Sequence, residues 1–189
     1  MKRTRITLAI KGLALLALSL SMGLGMKAQA VTDSAAINKL LADVKVHSME
    51  ADDDAAKLDS FARSGQISWQ LHGRKLAEIK EHVNDLIMDS NEMSSMRAEG
   101  SDWQQEAIDH INPLLHEMAD HLTATIQHLS ANQSRVHMPP YRDYAHANYN
   151  LVHKCHQLIS DFAEYSESKA KANSLEKNLD LPIIAKEGK

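Results

Sequence analysis

From Asp33 to its end the chain holds only four glycines and four prolines, and Gly65, Gly100 and the Pro139-Pro140 pair cut it into four stretches of similar length. Within each stretch apolar residues recur at intervals of three and four, the period of one helix face, and none shows the alternation of a strand. The first stretch, about Ser34 to Arg63, aligns Ile37, Leu40, Leu41, Val44, His47, Ala51, Ala55, Leu58 and Phe61. The second, about Ser68 to Arg97, aligns Trp69, His72, Leu76, Ile79, Val83, Leu86, Ser90 and Met93. The third opens on the capping residues Ser101 and Asp102, with Gln105 placed to close a capping box. Its seam is Trp103, Ala107, Ile111, Leu114, Met118, Leu122, Thr125 and Leu129, and Pro113 inside it predicts a kink by freeing the Asp109 carbonyl. The fourth starts at Pro139-Pro140, where first-turn proline is tolerated, with the seam Tyr141, Tyr144, Asn148, Leu151, Cys155, Leu158, Phe162 and Tyr165.

Helices of roughly thirty residues are about 45 Å long. Joined by loops near 65–67, 99–101 and 134–139, they bury their seams only by packing side by side, and short loops force neighbours to run in opposite directions. The predicted fold is therefore all-α, an antiparallel up-down-up-down four-helix bundle over residues 31–178. A polar tail, 179–189, is expected to fray from about Leu175 onward. Leu76, Val83, Met118, Leu122, Leu151, Cys155 and Leu158 are the predicted core.

Ahead of this region lie Lys2, Arg3, Arg5 and Lys11, an apolar run from Gly12 to Gly25, and Ala28-Gln29-Ala30. That order is the order of a secretory signal peptide, 1–30, with cleavage expected after Ala30 and a mature N-terminus at Val31. The run is short of the roughly 20 residues a membrane span needs, so no span is expected in the mature chain, and its location is expected to be periplasmic or secreted. No cysteine follows the cleavage site at once, which argues against a lipid anchor. Residues 1–30 carry five of the 21 basic side chains and none of the 25 acidic ones, leaving 16 against 25, a formal charge of −9. Such a surface disfavours nucleic acid and anionic membrane, which require a basic patch. Cys155 is alone, so no internal disulfide forms and stability rests on the apolar core.

Several chemistries are excluded by spacing. A ferritin-like di-iron bundle needs Glu-x-x-His, and no glutamate here has a histidine three residues on. Covalent c-type haem needs a second cysteine. His116 and His121 stand five apart, whereas a zinc-protease helix holds its pair four apart on one face. Cys155, between Leu151 and Leu158, reads as a small buried hydrophobe and not as a nucleophile. With no nucleophile beside a base and no cofactor fingerprint, the expectation is a non-enzymatic module, structural or protein-binding, whose helical faces suit a protein partner or a second copy of the chain.

Eleven histidines are the one compositional excess. Three readings follow. Histidine serves as a neutral polar residue at helix flanks. Alternatively, a divalent transition metal such as zinc, copper or nickel is held between the third and fourth helices. His110, Glu117, His121 and His128 form one stripe there; His146 and His153 lie seven apart on the fourth helix. A turn centred near Val136 and His137 levels His128 with His146 and His121 with His153. The ligands on that reading are His121, His153, Glu117, His128 and His146, and Asp52, Asp53 or Asp54 of the first helix comes level with His153. Third, full protonation would move the mature charge from −9 to +2, so the histidines suit a pH sensor.

The segments Ser101 to Leu115, which includes Trp103-Gln104 and Asn112-Pro113-Leu114-Leu115, and Ser160-Asp161-Phe162-Ala163-Glu164-Tyr165 are similar to stretches of uncharacterised, signal-peptide-bearing bacterial helical proteins. That resemblance implies an exported helical family. It implies no activity, ligand or site residue, and the histidine stripes are not part of it.

Overall fold

The computed structural model describes residues 32–179, and all regular structure among them is helical. The expected signal segment, Val31 and the tail beyond Leu179 lie outside the described residues. Four α-helices follow one another: α1 (Ala35–Arg63), α2 (Trp69–Ser95), α3 (Asp102–Ala131) and α4 (Pro139–Asn178). Single 3-10 turns, Arg97–Glu99 and Gln133–Arg135, occupy the second and third connections. No described helix is long and apolar enough to cross a membrane.

The starts follow from local chemistry. Ser34 caps α1, its side chain accepting from the Ile37 N–H. Ser101 caps α3, but the partner is Gln104 and not Gln105: the Gln104 carboxamide oxygen accepts from the Ser101 N–H at 3.0 Å. Gln105 instead donates to the Gly100 carbonyl and accepts from Arg97. Prolines open α4, where missing N–H groups cost nothing. α3 runs unbroken through Pro113. At this level Asn112 donates to the Ser94 hydroxyl at 2.8 Å and accepts from Ser90, tying α3 to α2.

α1 packs against α2 and α4, and α3 against the same two helices. Cross-helix pairs fix the directions. Asp52 meets His153 while Asp59 meets His146, and Thr125 meets Asn148 while His110 meets Phe162, so numbers rise along one helix as they fall along its neighbour. α4, with 40 residues, is about 60 Å long. Lys169 reaches Asp33 beside the start of α1, so the last turns of α4 project beyond its neighbour.

The core departs from the sequence reading chiefly in α3 and α4. Leu76, Val83, Met118, Leu122 and Cys155 are buried as expected, but Leu151 and Leu158 are half-buried. The buried line of α4 is Tyr141, Ala145, Asn148, Val152, Cys155, Ile159, Ala163 and Ser166. In α3 Leu115 replaces Leu114 as the buried member. The sequence seam of α4 takes Tyr144, Leu151, Leu158 and Phe162, whereas the helix turns their neighbours Ala145, Val152, Ile159 and Ala163 inward. Leu151, Leu158 and Phe162 flank that line and pack on it from the side. Trp69 and Tyr165, also assigned to seams, are 38% and 51% exposed.

Candidate functional site

The histidines are the side chains that most invite a function, and five of the eleven make polar contacts on the seams of α1. On its α4 side, His153 Nδ1 lies 3.0 Å from Asp52 Oδ2, His146 Nδ1 lies 3.4 Å from Asp59, and His156 Nδ1 lies 3.0 Å from the Ser48 hydroxyl. On its α2 side, His82 stands between Glu50 and Asp54 at 3.4 and 3.6 Å, and His47 Nδ1 lies 3.2 Å from Asp89. Lys75 completes the α2 side, 2.9 Å from Asp54. Burial pushes the Asp54 carboxyl up, but hydrogen bonds and charge from Lys75 and Lys57 outweigh it and hold the group below its ordinary range.

The five residues singled out as metal ligands are not gathered at one point. His153 turns from α3 toward Asp52, and its Nε2 meets the Gln157 amide at 3.1 Å. His146 turns toward Asp59. His128 packs its ring against Tyr144 and Tyr141, with centroids 4.9 and 6.3 Å away. Glu117 is exposed, and His121 is half-buried with an unpartnered Nδ1. Among the described residues no three histidine, cysteine or acidic groups are placed so that they could hold a metal ion together. The level assignment itself was close. Thr125 pairs with Asn148 and His128 with Tyr144, one and two residues from the positions that the turn location predicts. Level does not fix direction: α4 presents His146 and His153 to α1.

Three further groups are built into the interior. His72 is fully buried, and burial, with a smaller contribution from His137, pushes its imidazole down to about 4. Its Nδ1 meets the Tyr141 hydroxyl at 3.1 Å, while Nε2 has no partner. Cys155 is 1% exposed, and burial pushes its thiol up to about 12. At the other end of the molecule Gln104 is fully buried, yet all its valences are used. Its oxygen accepts from the N–H groups of Ser34 and Ser101, and its nitrogen donates to the Ser34 carbonyl and Asn38. Asp33 Oδ1 beside it accepts from Ser101, Trp103 and Lys169 at 2.7, 2.8 and 2.7 Å. The sequence reading passed over Gln104 because helix-period reasoning counts apolar residues. Its spacing of three from Ser101 was the available signal.

Two adjoining depressions of about 340 and 300 Å³ run along the seam of α2 and α3 and share Lys80 and Ile126. Small Gly73, Ala77 and Ala119 leave the space that forms the groove, and Trp69 lines the first depression. Compared with family models, with curated proteins and with solved structures, the chain matches none.

Proposed function

We propose that the chain is an exported, non-enzymatic protein: an antiparallel up-down-up-down four-helix bundle serving the cell envelope as a structural or protein-binding module. One observation carries this reading. The side chains best suited to chemistry are engaged in holding helices together: Cys155 as a buried thiol, His72 against Tyr141, and His82, His146 and His153 against acids of α1. The apolar groove between α2 and α3 is the surface suited to receive an amphipathic helix of a partner. Cell fractionation with sequencing of the mature N-terminus tests export, and a cytoplasmic, unprocessed chain overturns it. Photo-crosslinkers at Ala77 and Ile126 test binding. Discrete adducts are expected there and not from the same probe at Glu167, and equal labelling at all three overturns the groove.

A second reading, pH response, is favoured by the placement of four imidazoles beside acids on helix-helix seams. Protonation places a cation against each of those carboxylates and so changes the grip of α1 on its neighbours. Amide exchange along α1, corrected for intrinsic rate, is expected to slow between pH 7.5 and 5.5. An unchanged protection pattern, or one unaffected by His153→Gln and His82→Gln together, rejects it.

A further inference from the structure

The last turns of α4 have nothing packed against them. Lys169 is the last half-buried residue, and from Ala170 to Leu179 every residue is exposed. So short a helix end is marginal in water when no tertiary contact holds it. It is also not uniformly polar. Tyr165, Leu175 and Leu179 stand 51%, 51% and 64% exposed along this part of the chain.

These side chains share one face. Tyr165, Ala172 and Leu179 recur every seven residues, and Ser168 and Leu175 each follow one of them by three, which is the seam of a two-stranded coil. The buried line of α4 ends on Ala163 and Ser166, and Glu167 meets Lys45 of α1 at 3.6 Å, so the seam lies away from both the core and α1. At its foot Tyr165 rests edge-on against Trp103.

The charges beside the seam decide what fits it. Glu164 and Lys171 flank it on one side, Lys169 and Glu176 on the other. In a parallel pair of helices a residue on the first side faces the residue five further on in the second strand. That sets Glu164 against Lys169 of a second copy and Lys171 against Glu176, opposite in sign both times, and the two-fold axis repeats each contact. Lys169 also meets Asp33 at 2.7 Å, and an ammonium has three donors to share. An antiparallel pair sets Lys171 against Asn178 and loses half of these contacts.

We propose that the projecting end of α4 is a self-association element, pairing in parallel with the same segment of a second copy through Tyr165, Ser168, Ala172, Leu175 and Leu179. The seam is about 21 Å long, short for a coil. The dimer is accordingly weak, with a Kd of about 10 to 100 μM. It uses neither the α2–α3 groove nor any histidine, so it stands or falls apart from the binding of another protein.

Sedimentation equilibrium of the purified chain over a concentration series tests the pairing. A monomer–dimer equilibrium is expected, and Leu175→Glu with Leu179→Glu is expected to weaken it at least tenfold. Both leucines lie outside the core, so the melting temperature of the dilute protein is expected to stay unchanged, which separates lost association from lost folding. Lys171→Glu is expected to weaken the dimer at least threefold, and adding Glu176→Lys to restore it. Ser168→Cys is expected to give a disulfide-linked dimer on mild oxidation, because parallel strands bring the two copies of that position together; Cys155 is buried and takes no part. A monomer at every concentration overturns the proposal, as does a dimer indifferent to the two leucine substitutions. A charge exchange that restores nothing, or a Ser168→Cys chain that forms no linked dimer, overturns the parallel pairing.

Discussion

The Tyr141 hydroxyl meets His72 Nδ1 at 3.1 Å in the buried interior, joining the first turn of α4 to the first turn of α2. The imidazole stands edge-on to Phe61 of α1 and to Tyr141, and His137 lies in the turn before α4. No carboxylate is among these neighbours, so the interior accepts the neutral ring alone.

A pH dependence follows with a definite sign. His72 falls from 6.5 in the unfolded chain to about 4 in the fold. The unfolded chain therefore binds the extra proton between those values, and stability is lost as pH falls from 6.5 toward 4. Denaturant midpoints at pH 7.5 and 4.5 are expected to show a His72 contribution of about 2 to 3 kcal/mol. His72→Phe should be the less stable protein at pH 7.5, having stranded the Tyr141 hydroxyl, yet lose less on acidification. Parallel losses in both proteins would remove His72 from the account.

Two loop glycines are expected to differ in tolerance. A Cβ on Gly100 would stand 2.9 Å from Ile37 Cδ1, 3.2 Å from Gln104 Cβ and 3.3 Å from the Arg97 carbonyl, all in the packed end where α1 meets α3. A Cβ on Gly65 meets nothing within 4 Å. Gly100→Ala is expected to cost about 1 to 3 kcal/mol, as overpacking does. Gly65→Ala should stay within about 0.5 kcal/mol of the parent or exceed it. Thermal melts of the two variants compare them directly, and equal midpoints would contradict the packing described at Gly100.

The four helices were legible because Gly65, Gly100 and Pro139 interrupt an otherwise unbroken helical period. The loop positions also set levels well enough to bring Asp52 of α1 to His153 of α4, which the structure pairs at 3.0 Å. Rotation of each helix was less legible. Val152 and Leu151 are adjacent and equally apolar, and which one faces inward depends on how closely the neighbouring helices approach. Ala145 and Ala163, buried in α4, carry almost no signal in a pattern that weights large side chains. The histidines form stripes along α3 and α4 in the sequence, but His146 and His153 pair with acids on α1, a helix whose charged face composition alone does not orient, while His110 and His128 pack on aromatic rings. Gln104 escaped because a buried polar residue is indistinguishable from a surface one until its partners are known.

Cys155 is expected to be inert in the native state. Its thiol is buried and pushed up to about 12, so almost no thiolate exists near neutral pH and no reagent reaches it. Labelling by a thiol-reactive disulfide at pH 8 should be at least about a hundredfold slower than in denaturant, its rate set by opening of the fold. Labelling at the unfolded rate would place Cys155 at the surface. Cys155→Ser is expected to lower stability by about 1 to 3 kcal/mol, because a hydroxyl in that apolar setting lacks a partner.

The end of the molecule that carries the α1 start offers the last test. Asp33 gathers the Ser101 hydroxyl of the α3 cap, the Trp103 indole N–H and the Lys169 ammonium of α4 on one carboxylate oxygen. Trp103 in turn lies 5.5 Å beneath the Lys169 ammonium and edge-on to Tyr165. Burial pushes the Asp33 carboxyl up, but the hydrogen bonds from Lys169, Ser101 and Trp103 outweigh burial and set it below 3.8. The stabilisation is therefore present above pH 3.8 and is lost as pH falls through the lowered folded value. Asp33→Ala is expected to cost about 1 to 3 kcal/mol at pH 7, for a charged acceptor shared by three donors. Lys169→Met keeps the aliphatic stem over Trp103 but removes the ammonium, and should cost less than Asp33→Ala because Ser101 and Trp103 keep their acceptor. In the double variant the costs should fall short of their sum, since both act on one contact. Strict additivity at pH 7 would mean that the carboxylate and the ammonium are solvated separately. It would leave α4 tied to the start of α1 by its apolar seam alone.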